Sequence, residues 1–213
     1  MPLRVVAYAD PAIPSAVPAQ HDRRDRTEPK GTAMRKVVLY ELMSLDGFAD
    51  DPGRSDWMGG ADERLIDNLG RIIAGQDTVL LGRRTFDAWS VHWPESTMQP
   101  FADFINHTPK LVFAGEPLAR EWTATTRVTE PAESVVAELK RENGGDIGVH
   151  GSLDLARSLL AAHLVDELRL VVAPNLAGRG RRLFADNGTL QQFELRGNDL
   201  SGQCLLLHYS KRD

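Results

Sequence analysis

Three times in this chain a short apolar run breaks off into glycine and polar residues, and the first two breaks are followed by apolar residues at helical spacing. That alternation of strand and helix patterns suits an open α/β sheet, in which ligands are met at the loops leaving strand ends. The sharpest case is Asp77-Thr78-Val79-Leu80-Leu81-Gly82-Arg83-Arg84-Thr85-Phe86, where a strand of the kind buried on both faces runs into a glycine, two cations and a hydroxyl. It reads as an anion-binding turn. Gly82 lets a bound group approach the backbone, and Thr85 offers a hydroxyl and a helix N-terminal amide to a phosphate. Arg83 and Arg84 can hold a terminal phosphate through paired, charge-assisted hydrogen bonds. Alone, the same residues fit equally well a strand leading into a helix with solvated arginines.

The second break is Ile147-Gly148-Val149-His150-Gly151-Ser152-Leu153, with Leu155, Leu159 and Leu160 on one helical face behind it. Amides at the start of that helix point at whatever occupies the strand's end. Gly151-Ser152 also fits a plain N-cap. His150 reads as a loop or strand histidine, since imidazole catalysis needs an oriented partner and the sequence shows none. The third break follows Leu164-Val165-Asp166-Glu167-Leu168 and a long strand to Pro174. Its Gly178-Arg179-Gly180 is either a ligand-facing element or a basic surface loop.

Between these points the pattern is regular. A first strand spans Val37 to Met43 and turns through Ser44-Leu45-Asp46-Gly47-Phe48 into a polar loop reaching Met58. Leu65, Ile66, Leu69, Ile72 and Ile73 predict a helix over 61–75. Further helices are expected from Thr85 toward Trp89, breaking before Pro94, from Phe101 to Asn106, and from Ser134 to Glu142, the last stopped by Gly144-Gly145. Lys110 to Ala114 is the next strand, and Phe193 to Gly197 pairs with Cys204 to Tyr209 as an antiparallel hairpin around Asn198-Asp199.

Composition excludes several classes. With 213 residues, 42% of them hydrophobic, the chain makes one large domain plus a tail. A net charge of −5 argues against nucleic acid as the main partner, since such proteins usually present a basic face. Cys204 is the only cysteine, which rules out an intrachain disulfide and a cysteine-based zinc site. Its leucine neighbours mark it as packing, and a reducing cytoplasm is the expected location. No metal site is predicted. No apolar run of about 18 residues suggests a membrane span, and no apolar core marks a secretory signal. Residues 1–33 carry five prolines and a mixed-charge run from His21 to Arg26, so they read as a disordered extension before a domain at 34–213.

Taken together, Met43-Ser44-Leu45-Asp46-Gly47-Phe48, Leu80-Leu81-Gly82-Arg83-Arg84-Thr85-Phe86, Val149-His150-Gly151-Ser152 and Leu164-Val165-Asp166-Glu167-Leu168 with Gly178-Arg179-Gly180 resemble the dihydrofolate-reductase-like superfamily. The resemblance is to the group built on the C-terminal reductase domain of bacterial bifunctional riboflavin biosynthesis proteins, and it covers about residues 35 to 210. It implies a single α/β domain with a mostly parallel mixed sheet flanked by helices, an NADPH-dependent reductase and a homodimer. It places Arg83 at the adenosine 2′-phosphate and Thr85 at the pyrophosphate, with Arg84 assisting either. Gly82, and Gly151, Ser152 and Leu153 of the second turn, complete the implied cofactor set. Ser44, Asp46, Trp57 and Gly178 are the implied substrate side.

The implied chemistry is hydride transfer to a small heterocycle, as in 5-amino-6-(5-phosphoribosylamino)uracil reduction. Asp62 follows Trp57 at the tryptophan-to-acid spacing of folate reductases and is the candidate acid, with Glu63 as its competitor; either can equally serve the helix dipole. Arg179, Arg181 and Arg182 are candidates for a substrate phosphate. No His-x-Glu with Pro-Cys-x-x-Cys zinc signature occurs, so a stand-alone reductase is expected rather than a deaminase fusion. A dihydrofolate or other pterin reductase is the near alternative, and a non-catalytic NADP-binding dimeric interaction protein the alternative of another class.

Overall fold

The computed structural model describes residues 34–50, 62–184 and 189–212. The extension at 1–33 and Trp57 lie outside the described residues. The elements are β1 (Val37–Ser44), α1 (Glu63–Ile73), β2 (Gln76–Gly82), α2 (Arg83–His92) with a 3-10 turn at Trp93–Glu95, α3 (Phe101–His107), β3 (Lys110–Phe113), β4 (Thr125–Val128), α4 (Ala132–Leu139), β5 (Asp146–His150), α5 (Leu153–Ala161), β6 (Glu167–Ala173), β7 (Phe193–Ser201) and β8 (Cys204–Lys211). The eight strands form one sheet in the order β4-β3-β2-β5-β1-β6-β8-β7. The first six are mutually parallel, and β8 and β7 close the edge antiparallel.

Apolar residues cover both faces of the sheet. Alternate residues of β1 point opposite ways, so Val37 and Leu39 join Val149, Leu168 and α5's Leu159 in one cluster. Val38 and Tyr40 join Leu65 and Ile72 of α1 in another. A third cluster packs Val79, Leu81 and Val112 against Phe86, Phe101 and Ile105 of α2 and α3. Each such buried side chain contributes about 1.5–3 kcal/mol relative to exposure. No helix among the described residues is long and apolar enough to cross a membrane.

The structure corrects the sequence reading at three places. The hairpin turns at Gly202 and Gln203, between Ser201 and Cys204, and Asn198-Asp199 lie inside β7, paired with Leu207 and Leu206. Gly202 supplies the positive φ, +57°, that a two-residue turn requires. α4 ends at Leu139, five residues before Gly144-Gly145. That pair serves a close approach instead: Gly145 donates to Asp77 at 2.6 Å and accepts from Arg35 Nε at 2.8 Å, and a Cβ there would lie 2.6 Å from the Gly75 carbonyl oxygen. Finally, the short exposed strand β4 has no apolar run to announce it, and only its ladder with β3 defines it.

Candidate cofactor site at the strand ends

β2, β5, β1 and β6 are neighbours, and their carboxyl ends open on one edge of the sheet. There the two predicted anion turns meet. Gly82 N–H donates to Ser152 Oγ at 2.9 Å, which fixes the start of α2 beside the start of α5. Gly151 and Ser152 are both left-handed, with φ of 61° and 58°. A Cβ on Gly151 would sit at ordinary contact distance, 3.6 Å from Trp89 and 3.7 Å from Thr85, so conformation rather than space calls for glycine. At Ser152, which has a Cβ, the same conformation costs on the order of 1–2 kcal/mol, a local strain of the kind found at ligand sites.

The two arginines part company. Arg83 Nε reaches both carboxylate oxygens of Asp87, at 2.9 and 2.8 Å, and its Nη1 donates to the Pro117 carbonyl at 2.9 Å, so it stands toward the loop after β3. Arg84 turns the other way and meets Asp154 of α5 at 3.2 Å. Arg181 contacts the same aspartate, whereas the guanidinium of Arg182 lies over the Phe48 ring at 5.1 Å. Thr85, half-buried, is the third residue of α2, beside Gly151. Leu153 is in the core, so only its backbone amide remains for a ligand.

The predicted substrate residues have mostly structural partners. Ser44 is fully buried; its hydroxyl donates to Asp46 at 2.6 Å and accepts from Phe48 N–H at 3.1 Å. Asp46 also accepts from the amides of Ala177 at 3.0 Å and Gly178 at 2.9 Å, and these bonds, the Ser44 hydroxyl foremost, hold its carboxyl down at about 2. Ser44, Asp46 and Gly178 therefore clamp the loop after β1 to the loop after β6. Asp62 is the N-cap of α1, accepting from Leu65 N–H at 3.0 Å and from the Ser201 hydroxyl. The Ser201 bond, then the amide bonds, lower its pKa, which is the wrong direction for a proton donor. Glu167 lies at the opposite end of the sheet in an ion-pair hub with Lys36, Arg169 and His208. His150 is a buried strand residue, as read. Its Nε2 pairs with Gln76 Oε1 at 2.8 Å, and burial pushes it down to about 3, so the ring is neutral.

The sequence reading passed over Glu41. It is 3% exposed, on a strand whose other members are mostly apolar, and burial pushes its carboxyl up to about 8. Oε1 accepts from Leu42 N–H at 3.2 Å, and Oε2 has no partner among the described residues. The signal was a single acid inside the run Val37 to Met43.

The family model of the RibD C-terminal domain matches residues 35–205. The chain belongs to that family. Uncharacterized protein YwjB of Bacillus subtilis is 31% identical over 176 residues, covering 82% of this chain and 97% of its own length. A putative riboflavin biosynthesis protein from Shewanella shares the fold with a TM-score of 0.69 at 17% identity, covering 84% of this chain and 99% of the other. Dihydrofolate reductase from Enterococcus faecalis, solved with NADP(H), has a TM-score of 0.55 at 13% identity, over 84% and 97% of the two chains. This RibD C-terminal domain is thus related to reductases and has the dihydrofolate-reductase-like fold. Its strand-end residues fit a phosphate-bearing dinucleotide: two helix starts held together with arginines to either side, and further along the edge a buried carboxyl oxygen with no partner among the described residues.

Proposed function

We propose that this protein is an NADPH-dependent reductase that transfers a hydride to a small heterocycle of the 5-amino-6-(5-phosphoribosylamino)uracil type. The observation that carries the reading is the Gly82–Ser152 hydrogen bond, which brings two helix N-termini and their flanking arginines to one place at the strand ends. When bound, the dinucleotide supplies the hydride; the protein supplies position, electrostatics and exclusion of water. Amides of Thr85, Leu153 and their neighbours receive the pyrophosphate. Arg83, held by Asp87 and Pro117 on the β3 side, receives the 2′-phosphate and so favours NADPH over NADH. Arg84 and Arg181, gathered by Asp154, lie beside the second turn for whichever phosphate reaches it.

Titration with NADPH and NADH, followed by turnover with the ribosylaminouracil and with dihydrofolate, tests this. Tight binding that favours NADPH, with NADPH oxidised only when the ribosylaminouracil is present, is expected. Turnover of dihydrofolate alone transfers the assignment to pterin reduction. Saturable binding without turnover of any pyrimidine, pterin or flavin acceptor leaves a dimeric binding protein, and absence of binding overturns the cofactor reading. Sedimentation of the same sample reads the homodimer that we also propose.

A further inference from the structure

The sheet has a notch at its carboxyl edge. β1 pairs with β5 only as far as Tyr40↔His150, but continues beside β6 to Ser44↔Ala173; Ser44 bonds back to Gly47 and Phe48, so among the described residues Glu41 to Met43 have a neighbour on one side alone. Backbone direction identifies the open side. Lys36 C=O bonds Ile147 of β5 and Val37 C=O bonds Asp166 at the start of β6, so even-numbered residues of β1 turn toward β5. Leu42 N–H therefore points past the end of β5, where the ladder has no acceptor for it. Glu41 Oε1 takes that bond, and Oε2 is left buried and, among the described residues, unpaired. A buried carboxyl oxygen without a partner costs free energy unless a ligand completes it.

The notch also lies in line with the turns. Arg83 stands at the β2–β3 side and Ser152 at the end of β5, with β1 one strand further on, at about 4.8 Å per strand. A dinucleotide with its 2′-phosphate at Arg83 and its pyrophosphate on the Ser152 turn has its remaining end directed at the notch. We propose that Glu41 is a positioning residue for the nicotinamide end of the cofactor, offering its free carboxyl oxygen to the carboxamide. This rests on the dinucleotide reading above. A carboxyl with its pKa pushed up to about 8 is protonated at neutral pH, so it donates to the carboxamide oxygen; once ionised it has no proton to give. Among the described residues, the titratable and charged groups on β1 beside Glu41, the loop after it, the end of β5, α5 and the loop after β6 are Tyr40, Asp46, Asp50, His150, Asp154, Arg157, Arg179, Arg181 and Arg182. Tyr40 is pushed upward by burial, Asp46 lies at about 2 and His150 at about 3, so none of these three changes charge between pH 7 and 9.

The test measures affinity by calorimetry between pH 7 and 9.5 for NADPH and for 2′-phospho-ADP-ribose, which lacks the nicotinamide. For the unaltered full chain, NADPH affinity is expected to fall up to about tenfold per pH unit above about 8, one proton being linked to binding, while 2′-phospho-ADP-ribose stays level. Glu41→Gln, which keeps a donor at every pH, removes the NADPH slope. Glu41→Leu, suited to the apolar surroundings, weakens NADPH about tenfold at pH 7 and leaves 2′-phospho-ADP-ribose unchanged. A level NADPH profile for the unaltered chain, or the same slope in Glu41→Gln, overturns the role of Glu41 and leaves the dinucleotide reading standing. Failure of both ligands to bind removes both.

Discussion

The two ends of the parallel strands carry similar residues and treat them differently. At the amino ends, charges are matched with one another: Lys140 meets Asp166 at 2.5 and 2.7 Å, Arg35 meets Asp77, and Glu167 gathers Lys36, Arg169 and His208. At the carboxyl ends, the starts of α2 and α5 have no side-chain cap, Ser152 is left-handed, and one oxygen of Glu41 has no partner among the described residues, while Arg83 and Arg84 are paired with Asp87 and Asp154. Complementary charge satisfied internally favours one fold, whereas groups left unmatched favour a ligand. Substitutions at the amino end should therefore cost stability and leave cofactor affinity alone. Those at the carboxyl end should do the reverse, with Glu41 touching both.

The largest expected effect is the pH dependence of stability due to Glu41. Its folded pKa lies above the unfolded value, so its contribution is fully present below about 4.5 and is lost as pH rises through about 8. The difference in unfolding free energy between the unaltered chain and Glu41→Gln should shift on the order of 4 kcal/mol between pH 4 and pH 9 in urea titrations, and a constant difference would contradict the burial argument. Next, Asp166→Ala leaves the Lys140 ammonium buried without its anion and should cost about 3 kcal/mol, with NADPH affinity unaltered. A parallel loss of affinity would dissolve the contrast between the two ends. Arg83→Ala should weaken NADPH by about 2 kcal/mol and NADH far less; equal losses would take Arg83 away from the 2′-phosphate. The smallest effect belongs to Asp62. Asp62→Ala should cost about 1 kcal/mol as a lost N-cap, and Asp62→Asn, which keeps a capping oxygen, should retain both stability and turnover. Loss of turnover in Asp62→Asn would restore it as the acid.

Much of this was legible from local pattern. Val79-Leu80-Leu81 ahead of Gly82, and the helical spacing behind Ser152, report burial and backbone direction, which short-range sequence records well. What escaped depends on contacts across the chain. Asn198-Asp199 carry a stronger turn signal than Gly202-Gln203, yet pairing across from Leu207 and Leu206 holds them in a strand. Leu153 belongs to the right turn, but only register shows that its side chain faces the core. Ser44, Asp46 and Gly178 are distant in sequence, and their mutual hydrogen bonds appear only when the two loops meet. Glu41 looked like an ordinary strand residue because the notch beside it is made by where β5 stops.

The bond between Gly82 and Ser152 also governs how an anion reaches this protein. It holds the positive ends of two helix dipoles together, each equivalent to roughly half an elementary charge, with Arg83 and Arg84 adjoining. On a chain with a net charge of −5, these partial positive ends are a local departure that favours an anion. The dinucleotide proposed above would therefore meet the protein phosphates first, at the paired starts of α2 and α5.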